Sequence, residues 1–170
     1  MKWIPLSPPA YVESARANLA GADLQDMNLQ GIDMADGFMP YAKLQGADLS
    51  RAVLLDCFAQ HVDLRGATLQ SVLARGADLS NADLREAELA LADFGGARLV
   101  RADLRGASLD STELQGADLT GAILTPDQLD QIRACVGHWS AAAVALYGRY
   151  LPTLRHTRPF EPLSSKGKQA

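Results

Sequence analysis

Cysteine, histidine and long apolar runs are all scarce in this chain of 170 residues, and each shortage excludes something. Two cysteines, Cys57 and Cys135, give no basis for a disulfide framework. None of the three histidines, His61, His138 and His156, has a metal-ligand spacing to a cysteine or to another histidine. No stretch of about 18 apolar residues exists, so no membrane-spanning helix is expected. The opening residues Met1 to Pro9 hold one basic residue and no long apolar region, which argues against a signal peptide. A cytoplasmic location is the expectation.

What the chain does have is a period of five, running without insertion from Ala17 to Leu124. Leu recurs at 17 of 22 rungs, and the remaining five, Met34, Met39, Ala59, Ala74 and Phe94, are also apolar. Two residues before each rung sits Ala in 15 of 22 units; the exceptions are Met27, Ile32, Gly37, Cys57, Val62, Val72 and Thr112. Such a period fits neither a helix nor a flat strand, which would show spacings of three and four or of two. The chain must turn a corner about once per unit so that every rung points inward. Glycine at 21, 31, 46, 66, 76, 96, 106, 116 and 121 falls two residues after a rung, where a corner needs a permissive backbone.

Units such as Ala17-Asn18-Leu19-Ala20-Gly21 and Ala102-Asp103-Leu104-Arg105-Gly106 resemble the pentapeptide-repeat proteins, and the resemblance covers about two-thirds of the chain. It implies an all-β solenoid: a right-handed, four-sided parallel β-helix with four units per coil, hence about 5.5 coils, closed by a C-terminal α-helical cap. With coils ~4.8 Å apart the stack would be roughly 26 Å long. A narrow tube admits mainly Leu-sized and Ala-sized side chains, which accounts for the 6% aromatic content. On this geometry Cys57 and Cys135 lie several coils apart, and no disulfide joins them.

Stacking in steps of 20 places Ala74 beside Phe94 and Ala59 beside Met39, so a small side chain makes room for a large one. On the outside, Asp23, Lys43, Asp63, Asp83 and Asp103 form one column, with Arg65, Arg85 and Arg105 two residues on from its last three carboxylates. That side reads as self-neutralised. A second feature breaks the polar pattern. Phe38, Val53, Phe58 and Leu73 hold outward places usually given to Asp or Asn, with Tyr41, Leu55 and His61 close by and Asp36 and Asp56 near the corner. A contiguous apolar patch marks a partner site; the alternative is that the N-terminal residues fold back over it or that the phenylalanines simply stack.

Four segments follow from these readings: an N-terminal cap at 1–16, the repeat at 17–124, a helix at 125–151 and a disordered tail at 152–170. Trp3, Ile4 and Leu6 are the covering side chains of the cap, and Tyr11 to Ser14 reads either as a decayed repeat or as a helical turn. Thr125, Pro126, Asp127 and Gln128 spell a capping box with proline at the first helical position. Leu129, Ile132, Val136, Trp139, Ala143, Leu146 and Tyr150 then make one apolar stripe, which Pro152 ends. Its first half should cover the last coil. The second half, Trp139, Ala143, Leu146 and Tyr150, exceeds what a cap of one coil needs, so it either doubles back or pairs with a second chain; the resemblance to members paired through C-terminal helices makes it the candidate dimerisation surface.

No catalytic constellation appears: the carboxylates repeat with the coil and have no cleft, and the glycines are corners, not a phosphate loop. An enzyme is not expected, nor a cofactor or a bound metal. Two readings of function remain. One is a non-catalytic scaffold that binds a protein partner through its side faces, at Phe38, Tyr41, Val53, Leu55, Phe58 and Leu73. The other, implied by the resemblance, is a mimic of duplex DNA that binds DNA gyrase and protects it from quinolones or toxins. Residues 17–124 carry 16 acidic and 8 basic residues, a net of −8, while residues 125–170 carry 3 acidic and 6 basic, a net of +3. Duplex DNA has one charge per ~1.7 Å, so a rod of roughly 26 Å would need about 15. Direct nucleic-acid binding is disfavoured by the acidic sides.

Overall fold

The computed structural model describes residues 16–135. The expectations for residues 1–15 and for the chain beyond Cys135, among them Trp3, Ile4, Leu6, Trp139, Ala143, Leu146, Tyr150 and the tail, lie outside the described residues.

The unit is built by one turn. The Ala22 N–H donates to the Leu19 carbonyl at 3.0 Å, and Gly21 between them has φ 64°. Only the second central residue of the turn has positive φ, the type II pattern. The same backbone recurs every five residues from Arg16 to Gly121. Nine of these corners are glycine, but 13 are not, and those residues hold φ between 51° and 68°. Glycine is thus favoured at the corner but not required. Tyr41, His61 and Leu91 take the left-handed conformation there at a cost of about 1–2 kcal/mol each. The ladder outweighs it: the Tyr41 N–H, for example, donates to the Gln60 carbonyl at 3.0 Å.

Two further donors per unit join the coils. The Leu44 N–H reaches forward to the Asp63 carbonyl at 2.8 Å, and the Asp63 N–H reaches back to the Ala42 carbonyl at 3.0 Å. Every bridge is parallel and links a residue to the one 20 later, from Asn18–Phe38 to Asp103–Ile123. Four units therefore close one coil, with four sides. Side one carries Asn18, Phe38, Phe58, Asp78, Arg98 and Asp118; side two Asp23, Lys43, Asp63, Asp83, Asp103 and Ile123. Side three carries Asn28, Asp48, Thr68, Glu88 and Ser108; side four, which leads back into side one, carries Asp33, Val53, Leu73, Asp93 and Glu113. The turn uses four residues of each unit, so a side is a single bridging residue rather than a continuous strand.

Rungs and their alanine partners fill the interior. Each rung from Met34 to Leu109 is at most 3% exposed, whereas Leu19, Leu24 and Leu29 in the first coil are half-buried. Ala74 and Phe94 are both fully buried and bridge-adjacent, the Ala74 N–H donating to the Asp93 carbonyl at 2.8 Å, so the expected small-for-large compensation is in place.

The helix α1, Pro126–Cys135, starts with the capping box read from the sequence. The Thr125 N–H donates to Gln128 Oε1 at 2.8 Å, and the Gln128 N–H donates to Thr125 Oγ1 at 3.3 Å. Gln128 is buried, more so than Leu129, and Ile132 is buried with it over the end of the leucine column. The Gln128 amide Nε2 donates to the carbonyls of Leu104 at 2.6 Å and Ala107 at 2.7 Å. In lower coils such a carbonyl accepts the N–H of the residue 21 later, as Ala102 does from Ile123 at 2.8 Å. Residue 128 stands in that register above Ala107, and its side chain supplies the donor that another coil would have supplied from its backbone.

Candidate functional site

The six residues read as a partner site fall on sides four and one and on the corners beside them. Val53 and Leu73 are bridge partners on side four, and Phe38 and Phe58 are bridge partners on side one. Leu55 and Asp56 form the corner between them. Tyr41 follows Phe38 onto the corner toward side two, and its ring stacks on His61, with centroids 4.8 Å apart and planes 6° from parallel. Phe38, Phe58, Leu73 and Tyr41 are 47%, 52%, 44% and 63% exposed, while Val53 and Leu55 are half-buried. The patch is therefore real surface, running from side four across the Leu55–Asp56 corner to side one and on to the Tyr41 corner. It is also bounded: above it the same columns return to Asp78 and Arg98 on side one and to Asp93 and Glu113 on side four.

Among the described residues two other large apolar residues are exposed, Leu91 at the corner between sides three and four and Ile123 at the end of side two. The Tyr41–His61 stack was not foreseen; its signal in the sequence was only the spacing of 20 in a corner column. Asp56 lies under Gly76, where a Cβ would collide with its carboxylate. A glycine one coil up thus lets an acidic side chain sit in the middle of the patch's edge.

The charged side behaves as expected. Arg65, Arg85 and Arg105 each chelate the carboxylate two residues earlier, at 2.7, 2.6 and 2.6 Å, and the first two also reach the next coil's carboxylate, Asp83 at 3.7 Å and Asp103 at 3.8 Å. On side four Arg75 pairs with Asp93 at 2.5 Å and Glu113 at 3.4 Å. The Arg105 hydrogen bond holds the Asp103 carboxyl below its ordinary range. Burial pushes Asp63 up, but hydrogen bonds from Arg65 and Gln45 together overcome it and leave that carboxyl lowered as well. Ser50 lowers Asp48, and Thr120 lowers Asp118.

These shifts fix the sign of the acid response. A carboxyl lowered in the folded state stabilises it fully above the unfolded value, about 3.9, and loses that contribution as pH falls through the folded value. The urea midpoint should thus hold steady from pH 7 to 5 and drop below pH 4. In Asp63→Asn/Asp103→Asn the drop should be shallower; an equally steep drop would remove these carboxyls from the account.

Burial pushes the Cys57 thiol up to about 12, so it is an inert interior group beneath side one and not a nucleophile. Among the described residues no cluster of three or more His, Cys, Asp or Glu is arranged to hold a metal, and no helix is long and apolar enough to cross a membrane.

The family model for pentapeptide repeats matches eight copies, over residues 41–70, 63–99 and 87–125. The chain belongs to the pentapeptide-repeat family. Among solved structures, this pentapeptide-repeat protein is similar to Rfr23 from the cyanobacterium Cyanothece 51142, at 24% identity over 67% of this chain and 93% of that one, with a TM-score of 0.64. It is similar to a pentapeptide-repeat protein of the Arabidopsis thaliana thylakoid lumen at 21% identity, covering 76% and 90%, with a TM-score of 0.66. HetL of Nostoc sp. strain PCC 7120, a protein involved in heterocyst differentiation regulation, is 34% identical over 64% of this chain, with a TM-score of 0.51. The chain spans 49% of HetL. A comparison with curated protein sequences finds no match. These likenesses carry the fold, a right-handed β-helix, and the matches point to no enzymatic family.

Proposed function

We propose that this pentapeptide-repeat protein is a non-catalytic scaffold of about 5.5 coils that binds a protein partner through sides four and one. The observation that carries the reading is the bounded patch in which exposed Phe38, Tyr41, Phe58 and Leu73 flank half-buried Val53 and Leu55, where the rest of both columns is polar. A rigid coil stack holds such side chains at fixed spacing with little further entropy to lose on binding. Phe58 sits at the centre of the patch and is its expected hot spot. Phe58→Asp should weaken a partner captured from the native host by about 30-fold, the scale of a 2 kcal/mol hot spot. Leu73→Asp should act in the same direction. An unchanged set of partners, with unchanged melting of both variants, rejects the patch. Pairing of two copies through Trp139, Ala143, Leu146 and Tyr150 belongs to the same reading and is checked by sedimentation.

A second reading, a DNA mimic that binds gyrase, is favoured by the net charge of −8 across residues 17–124. That is about half the density of duplex DNA over the same length. The guanidiniums of Arg65, Arg85 and Arg105, each on its own carboxylate, remove side two from any acidic stripe. Supercoiling by purified gyrase, titrated with the protein with and without a quinolone, tests it: no effect at micromolar excess ends this reading.

A further inference from the structure

The patch lies where the described chain begins. Arg16 occupies the corner between sides four and one, its N–H donating to the Ala35 carbonyl at 2.9 Å, directly below Asp36 and Asp56. Phe38 and Phe58 are one and two coils above Asn18 on side one, and Val53 and Leu73 are one and two coils above Asp33 on side four. With coils ~4.8 Å apart, the whole patch is within roughly 15 Å of Arg16 along the axis. The 15 residues that precede Arg16 lie outside the described structure, and their chemistry matches this surface. They include Trp3, Ile4, Leu6, Tyr11 and Val12, with Lys2 and Glu13 as the only charged side chains. Even at half its full extension of about 3.3 Å per residue, the run from Trp3 to Arg16 spans the patch.

Proline decides how such a segment packs. Pro5, Pro8 and Pro9 remove three of five consecutive backbone donors between residues 5 and 9. A coil of this fold needs a rung donor and a bridging donor in each unit, as Leu44 and Asp63 show, so that stretch is unsuited to forming one more coil below the first. Prolines favour an extended polyproline conformation, which has no internal hydrogen bonds and binds by laying side chains and rings on aromatic surfaces. Phe38, Phe58 and the Tyr41–His61 stack form such a surface. The corner carboxylates Asp36 and Asp56 make no ion pair among the described residues, and Lys2 stands next to Trp3.

We propose that the segment Trp3–Pro9 docks in cis on the Phe38/Phe58/Leu73 patch, with Trp3 against the phenylalanines. This rests on reading the patch as a docking surface and names its resident occupant.

Trp3 reports on it directly, since Trp139 is the only other tryptophan. In the 170-residue chain carrying Trp139→Phe, the Trp3 emission maximum and its quenching by acrylamide are measured, then repeated with Phe58→Asp and, separately, Leu73→Asp. The expected result is a blue-shifted, quencher-protected Trp3 at all protein concentrations, with protection lost in both variants while thermal melting is unchanged. A solvent-exposed Trp3 in the parent overturns the proposal. So does protection that both variants leave intact, which would place Trp3 on the end of the first coil. Protection that appears only as concentration rises overturns docking in cis in favour of a second copy. Should either aspartate variant melt early, Ile4→Asp with Leu6→Asp gives the same test from the other side, expected to expose Trp3 and raise binding of an apolar dye. An exposed Trp3 beside Phe58-dependent partner capture would sink this inference and leave the scaffold reading. A protected Trp3 with no partner captured would do the reverse.

Discussion

Phe94→Ala should cost about 3–5 kcal/mol, the scale for truncating a buried phenylalanine in a close-packed interior. Phe94 is 1% exposed and is the largest of the fully buried side chains. It fits because its neighbour one coil below is Ala74, also fully buried. The two positions are therefore coupled, and the coupling can be measured. Ala74→Phe alone forces a second ring into the same tube and should cost about 1–3 kcal/mol or more. In Ala74→Phe/Phe94→Ala total volume is conserved and the ring moves down one coil. The double variant should be clearly more stable than the sum of the two single losses predicts. Urea unfolding followed by circular dichroism provides all four values. A Phe94→Ala loss below about 1 kcal/mol, or strict additivity, would mean that the interior is not packed as described.

Gln128→Ala is the second large effect, expected at about 2–3 kcal/mol. The side chain does three things from one position. Its Oε1 accepts from the Thr125 N–H, and its Nε2 donates to the Leu104 and Ala107 carbonyls in a buried site. Leu104 keeps a second partner, the Ala107 N–H at 3.0 Å, so the Ala107 carbonyl bears most of the loss. Gln128→Glu should be worse than Gln128→Ala at pH 7, because a buried carboxylate would face two carbonyl oxygens with no proton to offer. In a solenoid each coil touches only its neighbours, so the damage should stay local. Amide exchange is expected to speed up at Leu104 and Ile123 and to remain unchanged at Leu64. Uniform acceleration along the chain, or Gln128→Glu as stable as the parent, would contradict this role.

The sequence made much of this legible because a period of five is so unlike those of helices and strands. Inward Leu and Ala, outward Asp and Arg, and the corner two residues after each rung are all statements about direction, and direction is what a periodic pattern records. The capping box at Thr125 and Gln128 was equally readable, since its bonds join residues three apart. The outward breaks at Phe38, Val53, Phe58 and Leu73 stood out against a polar column for the same reason.

Contacts between coils were another matter. Nothing in a five-residue repeat states how many units close a coil; the resemblance implied four, and the bridges from each residue to the one 20 later decide it. Only with that register did His61 come to lie on Tyr41, Arg65 reach from Asp63 to Asp83, and Gln128 rise above Ala107 to stand in for a missing backbone donor. The left-handed backbone at Tyr41, Leu91 and His61 also had no local signature, because those residues do not favour it by themselves. Sequence alone determined which side chains point into the tube, since that follows from local spacing. The tertiary structure decided which residues meet across coils, because that depends on how far each turn rotates the chain before the ladder closes on itself.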